Sequence, residues 1–192
     1  MKEILLIGGG GHCKSVIDVI ECEGKFQIAG IIDKADLIEN NVLGCPVIGD
    51  DSDLDDLVKI YSYAIITIGQ IKSPEPRKSL FNLAKKAGFI MPSVISPRAY
   101  ISKHALIGDG VVVMHGAIIN ANASIGDNCI INSKALIEHD SKVFENCHIS
   151  TNVTINGGVL VNSGCFVGSG AIIKESIVIA ENSFIKAGSI VI

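Results

Sequence analysis

The sequence has no tryptophan, only 5% aromatic residues and only five prolines among its 192 residues. Its two arginines are Arg77 and Arg98, and its formal net charge is −4, which excludes a basic surface for nucleic acid. The apolar N-terminal run from Lys2 to Ile7 is quickly interrupted by glycines, so it is too short for a signal peptide or a membrane span. The six cysteines lack the spacing of a small secreted disulfide domain. These absences predict a protein of the reducing cytoplasm.

The second half of the chain is a repeat of six residues. A period of six fits neither a helix at about 3.6 residues nor a lone strand at about 2, so it predicts a solenoid. We expect each hexapeptide to lie on one flat face, with its β-branched anchor inward and a small residue at its fifth place. If three faces make one coil, Ile101 to Ile190 forms five coils. The anchors are Ile95, Ile101, Ile107, Val113, Ile119, Ile125, Ile131, Ile137, Val143, Ile149, Ile155, Val161, Val167, Ile173, Ile179, Ile185 and Val191.

Three cysteines follow the same periodicity. Cys129, Cys147 and Cys165 are eighteen residues apart, so they are predicted to stack in successive coils. Stacked thiols could bridge or bind a metal, but a buried free cysteine is more often a small apolar filler, and we predict that role here.

The first half predicts a small α/β domain. A strand from Lys2 to Ile7 leads into the turn Gly8–His12, a helix to about Glu23 and a strand from Phe26 to Ile32. Further elements are predicted at 46–48 (strand), 51–59 (helix), 63–68 (strand) and 75–87 (helix), which together indicate a parallel sheet. The predicted domains are residues 1–92 and 93–192, with the hinge within 92–97.

The glycine turn can aim backbone N–H groups and a helix N-terminus at an anion. It matches neither the dinucleotide fingerprint nor the Walker loop, since Cys13 stands where the third glycine of the fingerprint would be. A tight turn that binds nothing is the alternative. Asp33, at the end of the second strand, suits a ribose or base hydroxyl contact, although aspartate is equally common in surface turns.

Taken together, the two halves resemble the sugar acetyltransferases with a small nucleotide-sugar domain and a left-handed β-helix. These include sialic acid O-acetyltransferases and the UDP-amino-sugar N-acetyltransferases of the bacillosamine pathway. The resemblance rests on Gly8–His12, Asp33, the hexapeptides, the segment Asn132–Asp140 and the segment His148–Ser150. The left hand of the coil is implied by the resemblance, because crossover connections in general favour the right hand.

The resemblance also implies the roles of individual residues. His139 would be the general base, oriented by Asp140 or by the neighbouring Glu138, and Asn132 would lie near the reacting groups. His148, Gly157 and Gly158 would contact acetyl-CoA at its thioester end. The nucleotide part of the sugar would be held by Gly8, Gly10, Gly11, His12, Asp33, Gly69 and Gln70. Relatives usually continue with a tail that packs on the coenzyme, so no residue is assigned to its adenine end.

The residues themselves support this chemistry. His139 occupies the third place of its hexapeptide, near a corner where side chains can point outward, and a neutral imidazole suits proton removal near neutral pH. Gly157 lies eighteen residues later, one coil away, where its N–H could stabilise an oxyanion. Cys147 is predicted to point inward, which disfavours a nucleophilic cysteine. His104 and His115 have no supporting motif and are expected to face solvent.

The predicted function is therefore N-acetylation of a nucleotide-linked amino sugar, with a UDP-linked 4-amino-sugar favoured, by an acetyl-CoA-dependent, metal-free homotrimer whose sites lie between subunits. O-acetylation of sialic acid or another sugar hydroxyl is the first alternative. A trimer that binds a nucleotide sugar without catalysis is the second. A zinc hydratase is a third, but it would need His115, His139 and His148 to converge, and their spacing places His115 on a different face from His139.

Overall fold

In the computed structural model, which describes residues 1–38 and 40–192, an α/β unit is followed by a parallel β-helix. The α/β unit contains five strands, three α-helices and two short 3-10 turns. In chain order these are β1 (Lys2–Ile7), α1 (Gly11–Glu23), β2 (Phe26–Ile32), a 3-10 turn (Ala35–Leu37), β3 (Asn41–Val42), β4 (Cys45–Gly49), a 3-10 turn (Asp51–Asp53), α2 (Leu54–Leu57), β5 (Tyr63–Ile66) and α3 (Glu75–Ala87).

The sheet of this unit has the order β3-β4-β2-β1-β5, and all its pairs are parallel except β3 with β4. The antiparallel pair was not predicted. It is a hairpin closed by Leu43 and Gly44, whose φ angles of 50° and 88° suit a two-residue turn. The order places the carboxyl ends of β1 and β5 at the point where the connections change direction across the sheet, which is the usual ligand crevice of such sheets.

Two predicted elements differ in extent from those observed. The strand predicted to reach residue 68 ends at Ile66, and the helix predicted over 51–59 is shorter. Its first turn is a 3-10 turn held by a capping box, in which Asp50 accepts a hydrogen bond from Ser52 N and Asp53 accepts one from Asp50 N. Four acidic residues within 51–56 repel one another, and this repulsion disfavours a longer regular helix.

Residues from Val94 onward form a triangular parallel β-helix made of two-residue strands, so the predicted fold class is confirmed. Strands eighteen residues apart pair in register, as predicted from the repeat. Face 1 consists of Val94–Ile95, Val112–Val113, Ile130–Ile131, His148–Ile149, Phe166–Val167 and Phe184–Ile185. Face 2 consists of Tyr100–Ile101, Ile118–Ile119, Leu136–Ile137, Thr154–Ile155, Ile172–Ile173 and Ile190–Val191. Face 3 consists of Leu106–Ile107, Ser124–Ile125, Lys142–Val143, Leu160–Val161 and Val178–Ile179.

The corners of the triangle fall at the fourth place of the hexapeptide. The backbone there adopts a left-handed conformation, which glycine, asparagine and aspartate tolerate best. This requirement explains why these residue types recur every six positions. The residues with positive φ at this place are Gly110, Gly116, Asn122, Asn128, Lys134, Asp140, Asn146, Asn152, Gly158, Gly164, Gly170, Ser176, Asn182 and Gly188.

The core of the β-helix contains the anchors and the small residues at the fifth place. Cys129, Cys147 and Cys165 are buried and stack as predicted, with the Cys147 N–H directed at Cys129 Sγ at 3.4 Å. All six cysteines lie in the described part of the chain, and none of them forms a disulfide. The hydrogen bond with Cys129, and after it burial, raises the pKa of Cys147, so its thiol is an inert filler and not a nucleophile.

The α/β unit packs on face 1 of the β-helix. Val94, Val112 and Met114 join the apolar cluster that α1 forms with the sheet. Arg77, on α3, is fully buried and donates hydrogen bonds to the carbonyl oxygens of Ile66 (2.8 Å), Ile68 (3.0 Å) and Asn128 (3.2 Å). The division at residues 92 and 93 stays a prediction. Among the described residues, none of the helices is long and apolar enough to cross a membrane.

Candidate active site

The corner between faces 2 and 3 carries His139 and Asp140. His139 Nδ1 lies 2.7 Å from Asp140 Oδ2, and Asp140 Oδ1 accepts a hydrogen bond from Asn122 Nδ2 at 2.7 Å. Asn122 stands eighteen residues before Asp140, so it occupies the same corner one coil earlier. The carboxylate therefore receives support from the neighbouring coil, and it fixes the imidazole with Nε2 free on its outer side.

The electrostatics of this pair suit a base. The hydrogen bond that His139 donates to Asp140 is the main reason that the pKa of His139 is raised above its usual value. The hydrogen bonds from Asn122 and then His139 lower the pKa of Asp140, which keeps its carboxylate charged at neutral pH. The His139 side chain is 67% exposed, so it is open to a substrate.

Glu138 forms no hydrogen bond with His139 among the described residues, and its charge is only a lesser cause of the raised pKa of His139. Its carboxylate accepts a hydrogen bond from Asn120 Nδ2 at 2.8 Å, again from the coil below. The geometry therefore gives the orienting position to Asp140, and Glu138 lines the groove beside it.

His139 opens onto a groove of about 610 Å³ that crosses three coils. Gly157 lies above the imidazole: a Cβ at Gly157 would be 2.9 Å from His139 Cε1 and 3.0 Å from its Nε2. Only glycine leaves this approach open, and the backbone of Gly158 is tied to the His139 carbonyl by a hydrogen bond of 3.0 Å. The groove is lined by Glu138, His139, Asp140, Asn156, Gly157, Gly158, Glu175 and Ser176.

His148 lies elsewhere, on face 1 under the α/β unit, and is only 7% exposed. Its Nδ1–H donates to the backbone oxygen of Gln70 at 2.6 Å, which leaves Nε2 to accept from Asn132 Nδ2 at 3.1 Å. Burial lowers the pKa of His148 to about 4, so the ring stays neutral. Gln70 also donates through Nε2 to the Asn146 carbonyl oxygen at 2.9 Å, which joins the two units.

The glycine turn after β1 is open on its outer side. Added Cβ atoms at Gly10 and Gly11 would have no neighbour within 4 Å, and Gly10, the N-cap residue of α1, provides no side-chain cap. Gly8 has a φ angle of 107° and is packed against Ile68, so only glycine fits there. Asp33 accepts hydrogen bonds from Gly9 N at 2.6 Å and Lys34 N at 2.8 Å, so it shapes the turn.

A small cavity adjoins this turn at the carboxyl ends of β1, β2 and β5. It measures about 220 Å³ and is lined by Ile7, Gly8, Ile32, Asp33, Lys34, Asp51, Ile68 and Leu80. This is the crevice that the strand order predicts for a ligand.

His12 lies in the first turn of α1, at the junction of the two units. Its Nε2 atom is buried without a hydrogen-bond partner among the described residues, and its ring centroid is 6.4 Å from that of His148. Burial, with Arg77 and His148 as secondary causes, lowers the pKa of His12 to about 3. Gly69 lies beside His12: a Cβ added at Gly69 would be 3.8 Å from the Cβ of His12.

The two remaining histidines, His104 and His115, differ in exposure. His104 is exposed, as expected. The prediction that His115 faces solvent was wrong: its side chain is only 25% exposed and contacts Asp18 on α1. The prediction failed because the spacing places His115 at the corner of faces 1 and 2, where the α/β unit packs. His115, His139 and His148 therefore lie on different parts of the β-helix, so they do not form the three-histidine site that a zinc hydratase needs.

Sequence reasoning missed two neighbours of the candidate base. Asn122 supports Asp140, and Glu175 lines the groove. Both could have been found from the repeat, since Asn122 stands eighteen residues before Asp140 and Glu175 stands eighteen after Gly157. The contacts of Gln70 and Arg77 carry no such signal, because their partners are backbone carbonyl oxygens, of the β-helix for Gln70 and of both units for Arg77.

The fold and the groove place the protein among the hexapeptide-repeat transferases. The family described as bacterial transferase hexapeptide (six repeats) matches residues 104–139, and the family described as PglD N-terminal domain matches residues 3–83. A comparison with curated proteins gave no match.

Solved structures match over the whole chain. A histidine variant of perosamine N-acetyltransferase from Caulobacter crescentus, in complex with CoA and GDP-perosamine, is 35% identical over 100% of this chain and 89% of its own, with a TM-score of 0.93. The acetyltransferase domain of PglB from Neisseria gonorrhoeae is 26% identical over 100% of this chain and 92% of its own, with a TM-score of 0.92. That domain was also solved in complex with acetyl coenzyme A.

The chain therefore belongs to the acetyl-CoA-dependent sugar acetyltransferases that join a PglD-type N-terminal domain to a left-handed hexapeptide β-helix. This confirms the predicted resemblance, the hand of the coil, the enzyme class and the use of acetyl-CoA.

Proposed function

We propose that this protein transfers the acetyl group of acetyl-CoA to the amino group of a nucleotide-linked sugar, with His139 as the general base. The observation that carries the proposal is the His139–Asp140 pair, which opens onto a groove kept clear by Gly157. Relatives that match the whole chain support it, since one is a perosamine N-acetyltransferase solved with CoA and GDP-perosamine.

The chemistry follows from the geometry. Asp140 holds the proton of His139 on Nδ1, so Nε2 can take a proton from the amine as its nitrogen attacks the thioester carbonyl. The carbonyl oxygen becomes an oxyanion, for which the Gly157 N–H is the proposed donor. Collapse forms the amide and breaks the carbon–sulfur bond, and the imidazolium returns its proton to the CoA thiolate. Asp140 stays ionised throughout and stabilises the imidazolium.

The charge of the groove favours an amine acceptor. Three carboxylates, those of Glu138, Asp140 and Glu175, line it together with His139. Carboxylates attract an amino sugar in its ammonium form, which releases one proton to solvent before the neutral amine attacks, and they repel the carboxylate of a sialic acid. The groove thus supports N-acetylation over O-acetylation of sialic acid.

The proposed nucleotide-binding residues are Gly8, Gly10, Gly11, His12, Asp33, Gly69 and Gln70. The first turn of α1 and the crevice beside Asp33 support this assignment, since backbone N–H groups at a helix start bind phosphates. Asn132 and His148 are hydrogen-bonded to each other where the α/β unit meets face 1. We propose that both face the acetyl group.

This arrangement requires more than one subunit. The α/β unit covers face 1, whereas His139 lies at the corner of faces 2 and 3, on the opposite side of the triangle. We propose that a sugar held by the α/β unit reaches His139 of a neighbouring chain, in a homotrimer in which each site joins two subunits. Exposed apolar residues on face 2 support such packing: Tyr100, Ile118, Ile172 and Ile190. The unpaired thiols favour the cytoplasm as its location.

The decisive experiment measures thiol release from acetyl-CoA with GDP- and UDP-linked amino sugars, the same sugars without an amine, and free sialic acid. We expect turnover only with a nucleotide-linked amino sugar, and at least about 100-fold less with the His139→Ala variant. His104→Ala, at an exposed histidine, is the matched control. Turnover with sialic acid alone, or normal turnover in His139→Ala, would reject the proposal. The UDP- and GDP-linked arms decide the nucleotide, and light scattering of the same sample tests the trimer.

A further inference from the structure

Three potential metal ligands meet where α1 touches the β-helix, away from the His139 groove. Asp18 and Cys22 are four residues apart on the exposed side of α1, so their side chains lie on one helix face. His115 comes from the corner between faces 1 and 2. One ligand atom from each residue lies within 4.8 Å of the others.

The imidazole of His115 is already oriented. Its Nδ1 lies 2.6 Å from Ser96 Oγ and its Nε2 lies 2.6 Å from Asp18 Oδ2. Ser96 is 1% exposed, and its Oγ also accepts a hydrogen bond from the backbone N–H of Arg98 at 3.0 Å. Ser96 is too deeply buried to act as a nucleophile on a substrate. Its position instead matches that of the second group that fixes a metal-binding histidine, with Nε2 directed at the ligand.

We propose that Asp18, Cys22 and His115 bind one Zn²⁺, with water as the fourth ligand. Sulfur, nitrogen and carboxylate ligands suit zinc, and the bond lengths require ligand atoms roughly 3.3–3.6 Å apart in a tetrahedron. Asp18 and His115 need to separate by only about 1 Å or less to meet this spacing. Binding releases the thiol proton of Cys22, and the proton that His115 Nε2 directs at Asp18 without metal leaves that nitrogen, so that the ring holds its one proton on Nδ1, where Ser96 Oγ accepts it. The thiolate and the carboxylate together neutralise the charge of the ion.

The site has a structural role that is separate from acetyl transfer. It joins the last turns of α1 to the corner of faces 1 and 2, whereas His139 lies at the corner of faces 2 and 3. The first turn of the same helix carries His12 and follows the glycine turn. A metal that clamps α1 to the coils therefore holds this turn at a constant position relative to face 1.

Metal binding is tested with the whole purified chain after treatment with a chelator. Titration with Co²⁺ is expected to give one ion per chain, the absorption bands of a tetrahedral site and a thiolate charge-transfer band. Zn²⁺ is expected to remove both signals by displacing Co²⁺. Failure to bind one Co²⁺ or Zn²⁺ per chain would overturn the proposal.

Variants separate this site from other binding. Cys22→Ser is expected to lose the charge-transfer band, and Ser96→Ala to weaken Zn²⁺ binding by about 10- to 100-fold through loss of the group that orients His115. Cys45→Ser and His104→Ala are matched controls, and both should bind as the unaltered protein does. An unchanged band in Cys22→Ser would overturn the proposal.

Thermal unfolding gives a readout that a simple ion pair cannot reproduce. Zn²⁺ is expected to raise the Tm of the unaltered protein and of Cys45→Ser, but not that of Cys22→Ser. Because Cys22 is exposed, its replacement should leave the Tm without metal unchanged. Equal Zn²⁺ effects on Cys22→Ser and Cys45→Ser would show that the cluster is only an Asp18–His115 contact between the units.

Discussion

Asp140 accepts a hydrogen bond from His139 at 2.7 Å although the two residues are adjacent in the chain. Adjacent residues of an extended strand point to opposite faces, so such a pair forms only where the backbone turns. Here the turn is the corner of the β-helix, where Asp140 has a φ angle of 63°. The corner therefore brings base and carboxylate together without any distant segment of chain.

The first prediction concerns the pH dependence of catalysis. Because Asp140 raises the pKa of His139, activity should rise with pH through that raised pKa, as the imidazole loses its proton. Asp140→Asn removes the charge, so the rising limb of kcat/KM should move to lower pH while kcat falls by roughly 10-fold or more. Glu138→Gln is the matched control: the charge of Glu138 is a lesser cause of the raised pKa of His139, so the limb should move less than in Asp140→Asn. An unmoved limb in Asp140→Asn would show that another group orients the base.

The second prediction concerns the space above the imidazole. Gly157→Ala places a methyl group about 3 Å from His139 Nε2, so we expect kcat to fall by about 10-fold or more while the fold is retained. Ala121 occupies the equivalent corner place one coil before His139, which shows that alanine suits this backbone. Thr151 is exposed and occupies the third place of another hexapeptide. Thr151→Ala is therefore the control for the effect of an alanine at this place of the repeat. Equal kcat values for the two variants would refute the steric argument.

The third prediction concerns stability at low pH. Burial lowers the pKa values of His12 and His148 to about 3 and about 4, so the folded chain binds fewer protons than the unfolded chain below about pH 6.5. The stability from these two groups is complete above that pH and decreases as the pH falls. Each contributes a slope of roughly 1.4 kcal/mol per pH unit.

Urea unfolding between about pH 7 and pH 5 measures this slope. His148→Asn should flatten it by the share of one group, whereas His104→Asn, at an exposed position, should not. A slope that is the same in all three proteins would mean that His148 is protonated in the folded state.

The fourth prediction concerns Arg77. Its described hydrogen bonds all go to carbonyl oxygens, and burial lowers the pKa of the guanidinium to about 10. Arg77→Lys keeps the charge but loses the planar fork that reaches all three carbonyls, so the free energy of unfolding should fall by about 2–4 kcal/mol. Arg98→Lys, at an exposed site, should change it by less than about 0.5 kcal/mol. Equal effects of the two substitutions would contradict the role of Arg77.

The strength of the sequence prediction varied along the chain for physical reasons. The hexapeptide anchors predicted every strand of the β-helix, because stacking in a solenoid depends on contacts at one constant spacing. The first β–turn–α–β segment was also predictable from the glycine turn and the Gly24 cap. The hairpin at Leu43 was not predictable, and the helix predicted over 51–59 was too long, since two to four residues carry too little periodicity to define an element or its ends.

The sequence by itself determined the coil, the corner positions and the stacking of Asn122, Asp140 and Gly158 at eighteen-residue intervals. These features are local or periodic, so each follows from residue type and spacing. Only the tertiary structure decided that His148 binds Gln70, that Arg77 of α3 contacts Asn128 and that His115 meets Asp18. Those contacts depend on how the α/β unit packs on face 1, and a packing angle between two units leaves no periodic trace in either sequence.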